Sequence, residues 1–275
     1  MCDACVMNTV KDRMLSRRSL FKGGLAATTT GFAAGLAAGT LPRPASAAAH
    51  GGLVDMTHTL SGDFPTYFGE PGFAADQAFN FASDGFNLYE LRINEHTGTH
   101  IDAPLHFSAD GAAVDEIPVG DLMVPLAVID IRAKAAEDPD AQVTPEDIAA
   151  WTSANGDIPD RACVAMLSGW ADRADGDGFR NADEAGIMHF PGFHPEATAM
   201  LLETSSAAIA VDTLSLDYGP SADFATHYAW LPEGRYGIEC LAGLDQVPAA
   251  GATLIVGAPK HRGGTGGPAR IFAMT

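Results

Sequence analysis

Short apolar runs separated by polar and turn-forming stretches are the main pattern of this chain. Leu126–Ile131, Cys163–Leu167, Ala207–Val211 and Thr253–Val256 stand out, and continuous runs of this length predict buried strands. Helical signals are fewer. Thr144-Pro145-Glu146-Asp147 predicts a helix capped by Thr144, with Pro145 in its first turn, running to about Thr152. His194-Pro195-Glu196 predicts a second through Glu203. With strands outnumbering helices, and no internal repeat or long linker, the pattern predicts one mixed α/β domain.

The first segment reads differently. Six of the 16 basic residues, Lys11, Arg13, Arg17, Arg18, Lys22 and Arg43, lie in residues 1–47, where the only acids are Asp3 and Asp12. Ser16-Arg17-Arg18-Ser19-Leu20-Phe21-Lys22 precedes an Ala- and Gly-rich run over 23–39, and Ala45-Ser46-Ala47 follows as a small-residue cleavage site. This order of features predicts a twin-arginine export signal, removed to leave a mature domain over 48–275 in the periplasm or outside the cell. The run contains Thr28, Thr29 and Thr30 and lacks the ~20 strongly apolar residues that span a bilayer, so no permanent membrane anchor is expected.

Charge narrows the partners. The chain carries 35 acidic residues and a formal charge of −19, which excludes unselective binding to nucleic acid or to anionic lipid. Of the four cysteines, Cys2 and Cys5 fall in the segment to be removed. Cys163 and Cys240 sit in apolar surroundings and are expected as two buried thiols; an oxidising compartment would permit a disulfide.

The chemistry concentrates in His96-Thr97-Gly98-Thr99-His100-Ile101-Asp102-Ala103-Pro104-Leu105-His106-Phe107. Three of the nine histidines and one carboxylate fall here, all at even positions. Even positions of an extended segment share a face, and Thr97, Thr99 and Ile101 favour extended backbone. His96 and His100 would then stand about 13 Å apart along a straight strand, so Gly98 is expected to bend the chain between them. Imidazole nitrogens with a carboxylate suit a divalent ion of borderline hardness, and three protein ligands leave a position open for water.

The pattern H-x-G-T-H-x-D-x-P-x-H-F resembles the signature of the metal-dependent cyclase family, which includes bacterial kynurenine formamidases and isatin hydrolases. Weaker likeness extends through Val54-Asp55-Met56-Thr57-His58-Thr59-Leu60, Pro191-Gly192-Phe193, Val211-Asp212-Thr213-Leu214-Ser215-Leu216-Asp217 and Gly266-Gly267-Pro268-Ala269-Arg270. The resemblance implies that His96, His100 and Asp102 are metal ligands and that His106 is the catalytic base. In kynurenine formamidases a later histidine and a glutamate twelve positions on complete a two-zinc site bridged by the aspartate, and His227 and Glu239 have that spacing. Isatin hydrolases are similar but use one manganese, so the resemblance allows Zn or Mn, and one or two ions per chain. It also implies the swivelling β/β/α fold of the cyclases and a homodimer or larger homo-oligomer.

Other motifs carry less. Arg173–Glu184 has the length of a calcium loop, but Arg173 occupies the first ligand position. Gly263-Gly264-Thr265-Gly266-Gly267 imitates a phosphate loop, yet strand-like residues follow where a helix is needed. Ser215 lacks the setting of a nucleophile and is expected as a loop serine contacting substrate.

The expected function is metal-assisted hydrolysis of a C–N bond in a small amide, aryl formamide or lactam. His106 would take a proton during attack and return it to the departing nitrogen, a role suited to an unperturbed imidazole near pH 6.5. The alternative is a non-catalytic periplasmic metal-binding protein, in which His106 would be a fourth ligand.

Overall fold

A computed structural model describes residues 52–275; the export segment expected over 1–47 lies outside the described residues. In chain order the strands are β1 (Leu53–Asp55), β2 (Phe73–Phe79), β3 (Leu88–Ile93), β4 (His100–Asp102), β5 (Met123–Asp130), β6 (Gln142–Val143), β7 (Cys163–Leu167), β8 (Gly192–Phe193), β9 (Ala208–Val211), β10 (Tyr236–Glu239), β11 (Ala252–Gly257), β12 (Gly266–Pro268) and β13 (Arg270–Met274). The helices are α1 (Phe81–Asp84), α2 (Arg132–Glu137), α3 (Pro145–Asn155), α4 (Pro195–Leu202) and α5 (Ala225–Trp230).

Nine strands form one mixed sheet in the order β1-β13-β11-β5-β7-β9-β10-β4-β12. β5, β7, β9 and β10 run parallel, and antiparallel strands flank them on both sides. A parallel strand covered on both faces has no polar side. Every residue of β7 and β9 is accordingly buried, which is why these strands appear in the sequence as unbroken apolar runs.

Side chains alternate between two cores. Val124, Leu126 and Val128 of β5 join Ile101, Ile238, Leu254 and Ile271 on one face. Ala127 and Ile129 point the other way, onto Ile148 and Trp151 of α3, Leu201 of α4 and Trp230 of α5. The first core draws residues from both ends of the strand order, so the sheet curls.

Helix α3 starts as its residues predict. The Asp147 carboxylate reaches back to the backbone N–H of Thr144 (2.8 Å) and to its hydroxyl (3.0 Å). It ends at Asn155, beyond the expected Thr152, because the Asn155 amide donates to the Trp151 carbonyl and Gly156 turns the chain with φ of +91°. Helix α4 uses His194 as its cap: the side chain accepts from the Glu196 N–H.

Strands β2 and β3 pair with each other as a two-stranded sheet apart from the nine-stranded one, with α1 between them in the chain. The sequence marks no boundary there. All six residues of β3 are exposed. Cys163 and Cys240 are buried free thiols, and no helix among the described residues is long and apolar enough to cross a membrane.

Candidate metal centre

Strand β4 lies between β10 and β12, and its register assembles the site. His100 faces Glu239 across the ladder, while Asp102 faces Gly237 on one side and Gly266 on the other. Directly opposed residues project to the same side, so His100 Nε2 comes to 3.3 Å from Glu239 Oε2. His100 and Asp102, two apart on one strand, share that face, and Ile101 between them enters the core.

The extended run expected over 96–106 is confined to His100–Asp102. Gly98 adopts φ of +63° and turns the chain, which brings the His96 ring back to 5.3 Å from the His100 ring. Pro104 opens a short 3-10 helix, Pro104–Phe107, that carries His106. The His106 ring stacks on His96 with centroids 3.8 Å apart. Two bends therefore gather the histidines where a straight strand would have spread them.

Hydrogen bonds orient the donors. A neutral imidazole donates from one nitrogen and accepts at the other. His100 Nδ1 lies 2.8 Å from the Gly98 carbonyl, which only accepts, so Nε2 is the nitrogen turned into the centre. His227 Nδ1 lies 2.6 Å from Asp217 Oδ2, which frees its Nε2 to face Glu239 Oε1 at 3.1 Å and Asp102 Oδ2 at 3.6 Å. The backbone N–H of Leu216 donates to Glu239 Oε1. His100, Asp102, His227 and Glu239 are all buried.

Two atoms at the heart of this cluster, His100 Nε2 and Asp102 Oδ2, are buried without a hydrogen-bond partner. Orphaned polar atoms are costly in a protein interior. Two three-residue sets among the described residues have donor atoms close enough to share an ion: His96, Asp102 and His106, and His100, Asp102 and Glu239. Asp102 belongs to both. The calcium-like loop at 173–184 contributes to neither.

Protonation states follow from these contacts. Burial opposes charge on His100 and His227, but the carboxylates of Asp102 and Glu239, with Asp217 beside His227, outweigh it and hold both imidazoles well above their ordinary range. Burial also opposes charge on Asp102, yet His100, His227 and His96 hold it well below its ordinary range. The basin is thus built for positive charge. His106 departs from the near-6.5 expectation: burial pulls it down to about 4, against the opposing field of Asp102. A value that low leaves the ring neutral near pH 7.

A cavity of about 300 Å³ opens above these groups. His96, His100, His106, His227 and Glu239 form its floor, and Tyr67, Phe107, Leu214 and Phe224 contribute apolar wall. Phe107 packs 4.6 Å from the His227 ring and 5.6 Å from Phe224. Ser215 lines the same cavity, and its hydroxyl accepts from the Asp217 N–H, leaving its own proton to offer. All seven residues singled out from the sequence therefore border this cavity or, for Asp102, lie directly beneath it. Asp217, Thr265, Glu95 and the aromatic wall were not anticipated. Asp217 stood at the end of one family-like stretch, but nothing local signals that it meets a helix ten residues on.

Comparison with known proteins accords with this geometry. A family model described as a putative cyclase matches residues 54–218. The isatin hydrolase of Roseibium aggregatum is 34% identical over 241 residues, covering 81% of this chain and 91% of that protein. The kynurenine formamidase of Salinibacter ruber is 31% identical over 184 residues, 67% of this chain and 78% of its own length. Among solved structures, isatin hydrolase A from Labrenzia aggregata bound to benzyl benzoate superposes with a TM-score of 0.76 at 38% identity, covering 81% of this chain and 93% of that one.

Proposed function

The chain belongs to the cyclase family, and from that premise we propose that it is an exported metal-dependent hydrolase of small aryl amides, formamides or lactams. It is an enzyme of C–N bonds other than peptide bonds. The observation that carries the metal reading is the pair of buried orphan atoms, His100 Nε2 and Asp102 Oδ2, aimed into one basin with His227 and Glu239. An ion there satisfies both. The donors are imidazole and carboxylate without thiolate, a set that suits Zn²⁺ or Mn²⁺.

Such an ion, when bound, supplies Lewis acidity and makes water a competent nucleophile at neutral pH. The protein does the rest. Asp102 turns one oxygen toward His96 and His100 and the other toward His227, and Glu239 likewise spans His100 and His227. This sharing supports two ions per chain, one held by His96, His100 and Asp102 and the other by His227, Glu239 and Asp102. Neutral His106 accepts the proton of the attacking water and returns it to the departing nitrogen. Tyr67, Phe107 and Phe224 clasp a flat ring and exclude water, and Ser215 offers a hydrogen bond to a substrate carbonyl.

The closeness of His106 to His96 and Asp102 also admits a non-catalytic metal-binding protein with His106 as a ligand. An open, aromatic-walled cavity has no use in such a protein and favours catalysis. Turnover of a panel of aryl formamides and lactams with Zn²⁺ or Mn²⁺ added decides between them: no turnover of any member, with metal tightly held, rejects the enzyme reading.

Export rests on Arg17 and Arg18 before the weakly apolar run over 23–39. Changing both to Lys should retain the protein in the cytoplasm, uncleaved; normal periplasmic accumulation would reject the twin-arginine route. Association into a homodimer or larger homo-oligomer is supported by Tyr89, Leu91 and Ile93, exposed apolar residues on one face of β3.

A further inference from the structure

His96 is held from outside the proposed ligand set. Its Nε2 lies 2.9 Å from Thr265 Oγ1. Thr265 Oγ1 in turn lies 2.5 Å from Glu95 Oε2, and Glu95 Oε1 lies 2.6 Å from His261 Nε2. A carboxylate only accepts hydrogen bonds, and a hydroxyl has a single proton to give. The shorter of the two contacts of this hydroxyl assigns its proton to Glu95, so Thr265 meets His96 with a lone pair. Nε2 must then be the nitrogen of His96 that carries hydrogen. Nδ1, 2.7 Å from Asp102 Oδ1, is then the nitrogen an ion can claim, once any proton it shares with that carboxylate has left.

The loop that brings Thr265 here is anchored on the strand it serves. The Thr265 carbonyl accepts from the Ala103 N–H at 2.8 Å, the Gly264 carbonyl accepts from Val114, and the Thr265 N–H donates to Glu95. A Cβ at Gly266 would lie 2.8 Å from His96 Cε1 and 2.3 Å from the Ile101 carbonyl. The glycine run that imitates a phosphate loop thus serves close approach to the histidine.

We infer that Thr265, tied to Glu95, is a positioning residue that fixes the tautomer and ring plane of His96, so that His96 binds its ion through Nδ1 while His100 and His227 bind through Nε2. This inference rests on the basin being a metal centre. It adds an assignment, nitrogen by nitrogen, that the ligand list lacks.

Thr265→Val keeps the shape of the side chain and removes the lone pairs. Competition against a chelating indicator with Mn²⁺ or Zn²⁺ should show affinity weakened by about 10- to 100-fold, as expected for losing the partner that orients a ligand, and Thr265→Ser should restore it. Nitrogen NMR of histidine-labelled, metal-free protein should show the Nε2 of His96 protonated in wild type and in the serine variant. Should the valine variant fail to fold, as judged by melting of the metal-free protein, Glu95→Ala carries the same test, because it frees the Thr265 proton to turn toward His96. Wild-type protein that binds metal while the valine variant binds it equally well overturns the positioning role alone. Wild-type protein that binds neither ion overturns this inference together with the metal centre on which it rests.

Discussion

His227 donates its Nδ1 proton to Asp217 Oδ2 across 2.6 Å, and the same carboxylate accepts the backbone N–H groups of Thr226 and His227. One buried acid therefore does two things. It satisfies donors in the first turn of α5, which has no side-chain cap of its own at Phe224, and it selects the imidazole tautomer whose free nitrogen faces Glu239.

Asp217→Asn tests this dual role. The amide can present its oxygen or its NH₂ to the ring and the helix start but cannot accept at both positions, so one contact is lost whichever way it turns. Metal affinity should fall by about 10- to 100-fold, and melting temperature should also drop, since a buried donor left unmet costs about 1–3 kcal/mol. Chelator titration and thermal melts with and without metal measure the two effects. Unchanged affinity would leave Asp217 with the helix alone.

The parts of the fold legible in the sequence are those whose physics is local. β7 and β9 are buried on both faces and so read as unbroken apolar runs; α3 announces itself through Thr144 and Pro145. Strand β3 was not legible, because Leu88, Tyr89, Leu91 and Ile93 are exposed and interleaved with Glu90 and Arg92. At the site, His96, His100, Asp102 and His106 were found because they crowd into one stretch. The bend expected at Gly98 is present and Pro104 opens a second turn, so the four gather around β4 rather than along one straight face. His227 and Glu239 needed the family resemblance, because the sheet order that sets β10 beside β4 leaves no mark on local spacing. Asp217 and Thr265 act only through tertiary partners, and residue type alone does not announce such roles.

His106→Ala separates base from ligand. The His106 ring forms no hydrogen bond with another described residue and faces the cavity beside the stacked His96 ring. As a base it should cost about 10²-fold or more in turnover and leave metal content intact. Metal lost in proportion to activity would instead make it a ligand and support the binding-protein reading.

Asp212 offers a stability test away from the cavity. It is fully buried and accepts from the Ser168 hydroxyl and from the backbone N–H groups of Ser168, Gly169 and Trp170. Burial nevertheless lifts its carboxyl to about 6, against those donors. A folded value above the ordinary 3.8 means that the unfolded chain releases this proton first as pH rises, so folding loses stability from about pH 4 until the folded group has titrated near 6. Asp212→Asn removes that dependence, and its NH₂ cannot accept from the loop. The variant should be less stable throughout. The gap between it and wild type should narrow by about 1–2 kcal/mol from pH 5 to 7.5, measured by urea denaturation. A constant gap would mean that Asp212 stays charged across the range.

Glu239 decides the number of ions. Its Oε1 meets His227 Nε2 at 3.1 Å and the Leu216 N–H at 3.0 Å, while Oε2 meets His100 Nε2 at 3.3 Å. Asp102 divides its oxygens between the same two imidazoles, with His96 on the His100 side. If two ions sit about 3.5–4 Å apart across the shared aspartate, Glu239→Gln leaves the His227 side with Asp102 as its one carboxylate, while His96, His100 and Asp102 remain for the other. Elemental analysis of protein purified without chelators should move from two ions per chain to one, and most activity should go with the lost ion. Because the donors are imidazoles and carboxylates held charged or protonated by one another, metal uptake should release protons, and that release in weakly buffered solution should fall in the variant as well. A wild-type content of one ion, unchanged in Glu239→Gln and unchanged when metal is added, would make the centre mononuclear, with Glu239 orienting His100 and His227 around a single ion.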